Sequence, residues 1–146
     1  LDRVLGGRRQ VRLGETVDVL ALRGIGAWFD DRLVGLVTWR LDEDPTRAEL
    51  AALAVDVAHR GRGVAGALTE AAAGAAKTSG CTSMWLLTTN DNLDALRLYQ
   101  RHGFGLVEVR PGGVDLARQA KPSIPEVGAY GIPLRDELIL ERDLTS

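Results

Sequence analysis

Little in this sequence offers ready-made chemistry. There is one cysteine, Cys81, among 146 residues, which excludes an internal disulfide and leaves no companion for a thiolate metal site. Its simplest reading is a small buried residue entering a strand, not a nucleophile. The two histidines, His59 and His102, stand apart with no second ligand at metal spacing, so no metal is expected. Both read as structural or solvent-exposed, His102 just before Gly103 at an expected helix end, where it complements the helix dipole. Basic residues are slightly outnumbered, 18 Lys and Arg against 20 Asp and Glu. That balance supplies no positive field for a polyanion and argues against nucleic acid as a partner. No apolar run approaches the ~18 residues of a membrane span, and no signal-peptide pattern opens the chain. No membrane partner is expected, and the cytoplasm is the expected compartment.

What is present is ordinary for a globular protein: 45% hydrophobic and 26% charged residues. The length suits one domain with a real core, so residues 1–146 are read as a single domain. Residues 1–23 carry no clean period, and a short helix is expected only around Thr16 to Leu22. From Ile25 the pattern sharpens. "IGAWF" and "LVGLVTWRL" flank the turn-prone Asp30-Asp31 and form a hairpin, and "RAELAALAVDV" is a third strand. The alanine-rich "ALTEAAAGAAKTSG" is a helix stopped at Gly80. "CTSMWLLTT" is a strand, "NDNLDALRLYQRHGF" a helix, and "LVEVR" and "DELILERDL" are the last strands. The order β-β-β-α-β-α-β-β implies a mixed sheet of α/β or α+β type.

Between the third strand and the alanine-rich helix lies "RGRGVAG", Arg60 to Gly66. Gly61, Gly63 and Gly66 formally match the dinucleotide fingerprint G-x-G-x-x-G, and Asp91 falls about where its ribose-binding acid would stand. Against that reading, "DVAHR" separates Val55 from Gly61, and too few alternating units follow to build a parallel sheet. A nucleotide P-loop fits less well still, since no Gly-Lys-Ser/Thr follows the glycines. The physical reading is broader: unpaired backbone N–H groups at a helix start make a cradle for phosphate.

Two blocks of the chain resemble the Gcn5-related N-acetyltransferase (GNAT) superfamily. "LAVDVAHRGRGVAGALTE" is similar to its coenzyme A loop, Arg/Gln-x-x-Gly-x-Gly/Ala after a central strand, with Arg60, Gly63 and Ala65 at the defining positions. "TNDNLDALRLYQRHGF" is similar to its later motif, through Asn92, Ala95, Leu98, Tyr99, Gly103 and Phe104. The resemblance runs from about Ile25 to Arg110 and implies a GNAT-like acyltransferase fold, hairpin strands joined to a β-α-β crossover and shortened at the N-terminus. It implies transfer of an acetyl group from acetyl-CoA to a primary amine by direct attack, the acceptor being a small molecule or a peptide.

By that resemblance, the pyrophosphate would lie against Arg60, Gly61, Arg62, Gly63, Val64, Ala65 and Gly66, and the pantetheine arm along the backbone of Leu53, Ala54 and Val55. Asn92 would bind the arm, or else only cap its helix. Tyr99 would be the general acid to the departing sulfur, or a core tyrosine. Glu49 would be the strand-borne base, on one face with Ala51, Leu53 and Val55 if alternation holds, or a solvent-facing carboxylate if a bulge flips it. A non-catalytic acetyl-CoA sensor or partner module is the alternative function, and a dinucleotide-binding domain the remote one.

Two features depart from the family plan. The chain opens on Leu1, not Met, and only Leu1 to Gly24 precede the hairpin, so part of the acceptor wall is expected to be missing, supplied by a partner subunit, or never present. The segment 111–134 is also longer than a tight connection needs. It contains a helical pattern over Val114 to Ala120, then prolines and apolar residues, and is expected to fold back onto the body. It reads as an acceptor wall or a homodimer contact, with Tyr130 and Glu126 lining it, or as a plain surface excursion.

Overall fold

The structure is a computed structural model that describes residues 3–4, 11–15 and 22–145. It divides into two compact units, Leu1–Met84 with Asp143–Ser146, and Trp85–Arg142. The helix expected around Thr16 to Leu22 falls on residues 16–21, which lie outside the described ones.

The first unit is an antiparallel meander. β1 (Arg3–Val4), β2 (Val11–Glu15), β3 (Arg23–Phe29), β4 (Arg32–Leu41) and β5 (Arg47–Val55) each pair with the next. The pattern of residues 1–23 did not announce β1 and β2. Asp30 and Asp31 both hold positive φ, 49° and 62°, as a two-residue hairpin turn demands; aspartate tolerates it where a bulky residue would not. The loop joins Phe29 directly to Arg32 in register.

Alternation breaks twice. Ala27 faces Gly35 but Trp28 faces Leu33, so Val34 is an extra residue in β4. Thr38 faces Ala52 but Trp39 faces Leu50, so Ala51 is an extra residue in β5. The second bulge divides β5 between the two sheet faces. Leu50, Leu53 and Val55 pair with Trp39, Val37 and Gly35, whereas Glu49, Ala52 and Ala54 pair with Arg40, Thr38 and Leu36. Glu49 therefore does not share a face with Leu53 and Val55, correcting the alternation expected from sequence.

Helix α1 (Val64–Thr78) lies on the Gly35 side. Alanine favours the helix intrinsically, and Val64, Leu68, Ala72 and Ala76 give it a buried stripe at helical spacing. It ends in a Schellman motif: Cys81 N–H bonds Ala76 O, Gly80 N–H bonds Lys77 O, and Gly80 takes φ 100°. Cys81 enters the next strand buried, as its composition suggested.

The second unit holds most of β6 (Ser83–Thr89), α2 (Leu93–Arg101), β7 (Gly105–Arg110), α3 (Gly113–Ala120) and β8 (Glu137–Asp143). β7 and β8 pair antiparallel. Helix α2 closes at His102, and Gly103 takes φ 84°. The segment 111–134 does fold back. Arg118 of α3 donates to the carbonyls of Ile124, Pro125 and Leu134. Val127 bridges to Pro133, Leu134 N–H bonds Glu126 O and Gly128 N–H bonds Ile132 O. We call residues 124–134 the strap, a closed loop with Tyr130 at its tip.

A Cβ at Gly35 would stand 2.9 Å from Leu68 Cδ1 and 3.1 Å from Val64 Cγ1. Gly35→Ala should therefore push α1 off β4 and cost about 1–3 kcal/mol, measured by urea denaturation. An unchanged midpoint would contradict the close approach.

Candidate active site

The loop between β5 and α1 is built from beneath. Asp56 N–H bonds Val34 O at 2.7 Å, and the Asp56 carboxylate meets Arg32 at 3.3 Å and His59 Nδ1 at 3.6 Å. Residues Val57–His59 form one 3₁₀ turn, with His59 buried against the Phe29 ring at 5.4 Å between centroids. His59 packs as a support under the loop. Among the described residues no group of His, Cys, Asp and Glu could hold a metal ion.

Above this support the backbone turns sharply. Gly61 and Gly63 take φ 76° and 80°, and nothing lies within 4 Å of a Cβ at either. Glycine is needed there for conformation, and space is left open outside. Gly63 is the N-cap of α1, with no side-chain cap bond and no acidic residue in the first turn. The first bond inside the helix is Ala67 N–H to Gly63 O, so the N–H groups of Val64, Ala65 and Gly66 have no helical partner. Arg60 Nε returns to Val55 O at 3.3 Å, fastening the loop to the end of β5. Arg60 and Arg62 are both exposed. Three outward N–H groups, a helix dipole and two arginines can together receive an anion with several acceptor oxygens, such as a pyrophosphate.

On β5, Leu53 and Val55 are half-buried and Ala54 is exposed. Glu49 is held by its cross-strand neighbour, Arg40 Nε donating to Oε1 at 2.9 Å and the guanidinium NH2 reaching the same oxygen at 2.7 Å. Its side chain is 16% exposed.

In the second unit, Asn92 Oδ1 accepts from Ala95 N–H at 3.2 Å, so its oxygen caps α2. Tyr99 is the buried residue of that helix and meets Phe104 edge-on, centroids 5.6 Å apart. Burial pushes the Tyr99 phenol up to about 12 from an ordinary value of 10. At neutral pH the phenol is protonated.

The residues before Asn92 carry a role that sequence reasoning missed. Asn90 Oδ1 accepts from the N–H groups of Arg135 and Asp136, and its Nδ2 donates to Pro133 O. Asp91, buried, accepts from Thr89 Oγ1 and from Ala129 N–H. Burial alone would raise the Asp91 carboxyl, but these bonds hold it below the ordinary carboxylate value. A Cβ at Gly128 would collide with that carboxylate. Asp91 thus ties the strap to the head of α2; nothing here has the form of a ribose site. The only local signal was the triplet "NDN" itself, turn-formers with side chains able to bond distant backbone.

At the strap's tip Tyr130 holds φ 59° and ψ 21°, a left-handed conformation costing a side-chain-bearing residue roughly 1–2 kcal/mol. Its hydroxyl donates to Asp94 in the first turn of α2. The side chain is exposed, as is Glu126.

Comparison with known proteins agrees with this geometry. The family model for the acetyltransferase (GNAT) family matches residues 12–104. Across 124 residues the chain is 36% identical to YxbD, an uncharacterized protein of Bacillus subtilis (strain 168), covering 84% of this chain and 76% of that one. A Bacillus subtilis acetyltransferase solved in complex with CoA superposes with TM-score 0.78 at 19% identity, covering 91% of this chain and 98% of that one. A GNAT family acetyltransferase from Elizabethkingia anophelis, solved with acetyl-CoA bound, gives 0.73 at 20% identity, covering 84% and 76%. The chain belongs to the GNAT acetyltransferase family, and its fold is the mixed α/β fold of that family. No helix among the described residues is long and apolar enough to cross a membrane.

The buried phenol makes a pH prediction. Between pH 10 and about 12 the native state keeps the Tyr99 proton while the unfolded chain releases it. Stability therefore falls as pH rises through this window, by up to ~1.4 kcal/mol per pH unit. Urea midpoints of Tyr99→Phe should lose less than those of the parent protein across the window. Parallel losses would contradict the burial.

Proposed function

We propose that this protein is an acetyl-CoA-dependent N-acetyltransferase acting on a primary amine, and that residues 1–146 form one acyltransferase domain. The family match supports the second point, because it runs across the boundary between the two compact units. The observation that carries the first is the start of α1: three outward N–H groups behind left-handed Gly63, with no side-chain cap and no acidic residue to compete.

When bound there, acetyl-CoA supplies an activated thioester. The N–H groups of Val64, Ala65 and Gly66, with Gly61, Gly63, Arg60 and Arg62 around them, hold its pyrophosphate, and the backbone of Leu53, Ala54 and Val55 runs beside its arm. The second solved neighbour's bound acetyl-CoA supports this choice of donor. Asn92 Oδ1 is spent on its helix cap, so its contribution to the arm falls to the amide nitrogen. An amine arrives protonated, and Glu49 takes that proton through Oε2, the oxygen that Arg40 does not engage, directly or through water. The amine nitrogen then bonds the acetyl carbon as the carbon–sulfur bond breaks. Tyr99 gives its proton to the leaving sulfur, and the proton that the new amide nitrogen must lose restores the Tyr99 phenol, directly or through water.

A non-catalytic acetyl-CoA module would have the same loop, so the tests separate binding from turnover. Gly63→Glu should abolish acetyl-CoA binding by calorimetry, while Gly63→Asn, which tolerates left-handed backbone, should bind and serve as the fold control. Full affinity in a folded Gly63→Glu protein would refute the loop assignment. Tyr99→Phe should keep the affinity and lose about 10²–10⁴ in kcat; equal turnover would leave Tyr99 a core residue. Glu49→Gln should move the acidic limb of the pH–rate profile, and an unmoved limb removes Glu49 as base.

A further inference from the structure

The root of the loop before α1 holds a polar atom that its surroundings leave unsatisfied. His59 is 8% exposed, and its Nδ1 is buried with no hydrogen-bond partner among the described residues. The carboxylate of Asp56 stands 3.6 Å from that nitrogen, just beyond a hydrogen bond. The frame around the gap is fixed. His59 N–H bonds Asp56 O at 2.8 Å, and Asp56 N–H bonds Val34 O at 2.7 Å. Arg32 meets the Asp56 carboxylate at 3.3 Å, and the Phe29 ring packs against the imidazole, centroids 5.4 Å apart. A buried polar atom left unpaired inside so tied a frame calls for an explanation.

The chemistry of imidazole supplies one. Histidine is the side chain that changes charge between about pH 5 and 8. A neutral ring has one N–H for its two nitrogens, whereas the imidazolium carries an N–H at both. Protonation therefore places a charged donor at Nδ1, and closing the short gap to Asp56 makes a charge-assisted bond. Arg60 follows directly in the chain, its N–H bonded to Val57 O and its Nε to Val55 O, each at 3.3 Å. A pull on His59 is thus passed to the first residue of the phosphate cradle.

The charges about the ring set the direction of the coupling. Asp56 faces it from its own turn, and Arg32 of β4 lies across that carboxylate. Phe29 of β3 brings no charge, and Asp30 and Asp31 beyond it are exposed. Arg60 and Arg62 continue the loop, both exposed, and Val64 to Ala67 of α1 are uncharged. A pyrophosphate in the cradle adds negative charge beside this group, which favours the imidazolium over the neutral ring.

We infer that His59 is a positioning residue of the cofactor loop whose protonation is coupled to phosphate binding. The imidazolium bonds Asp56, draws the loop onto its anchor and adds a positive charge behind the cradle, so acetyl-CoA binding tightens as pH falls through the histidine range. This deepens the acetyltransferase reading and rests on it for the ligand.

The acetyl-CoA Kd, measured by calorimetry from pH 8 to pH 5.5, should tighten roughly three- to tenfold more in the parent protein than in His59→Gln, the worth of one screened charge near an anion. Glutamine keeps hydrogen-bonding groups and carries no charge, and the comparison cancels the titration of the ligand's own phosphate. By reciprocity, the midpoint of the His59 imidazole resonance should rise by the matching factor when acetyl-CoA saturates the protein. The chain has two histidines, so His102→Gln assigns that resonance, and this measurement needs no variant of His59 to fold. A purely structural histidine would instead weaken binding equally at every pH in His59→Gln. Parallel Kd profiles, or a His59 midpoint unmoved by saturating acetyl-CoA, overturn the inference and leave the loop assignment standing. No acetyl-CoA binding at any pH would refute the acetyltransferase reading and this inference with it.

Discussion

The chain must leave β5 at Val55 and enter α1 at Val64 with its first N–H groups facing outward, and the first unit is arranged around that requirement. Left-handed backbone at Gly61 and Gly63 makes the change of direction. It works only if α1 lies hard against the sheet, which is why Gly35 has no room for a Cβ beneath Leu68 and Val64. The Asp56 cluster fixes the starting point, bonding backward to Val34 and sideways to Arg32, with His59 Nδ1 3.6 Å from the carboxylate. Two glycines far apart in sequence thus serve one geometry: Gly35 sets how close the helix comes, and Gly63 sets where its dipole points.

The second unit solves a different problem by similar means. A long connection between β7 and β8 would ordinarily be loose, since ordering each residue costs conformational entropy. Here consecutive polar residues divide the work. Asn90 and Asp91 reach across to the strap and to the backbone just before β8, and Asn92 starts α2. Burial of Asp91 is tolerated because both its oxygens are bonded. The result is an exposed tyrosine, Tyr130, hydrogen-bonded to Asp94 at the start of α2.

Much of this was legible in the sequence, and the exceptions have physical causes. Local, contiguous signals read correctly: the Asp30-Asp31 hairpin, the alanine helix with its glycine stop, the glycine turn that opens that helix, and the short helix of 113–120. β1 and β2 were missed because short strands broken by glycine and arginine show no period. The bulge at Ala51 was invisible because it sits among alanines, where inserting a residue leaves composition unchanged while turning Glu49 away from the face of Leu53 and Val55. The roles of Asn90 and Asp91 were missed because their partners lie 38 to 46 residues away. Asp91 illustrates the hazard of spacing alone: its distance from the glycines suggested a ribose ligand, and the fold employs it as a clamp.

The central claim is that the backbone at the start of α1 receives the phosphates of acetyl-CoA. It is tested most directly by following amide N–H resonances during titration with acetyl-CoA. Saturable shifts that are largest over Arg62 to Gly66 are predicted. Saturable binding whose largest shifts lie elsewhere, with those amides unmoved, would contradict it.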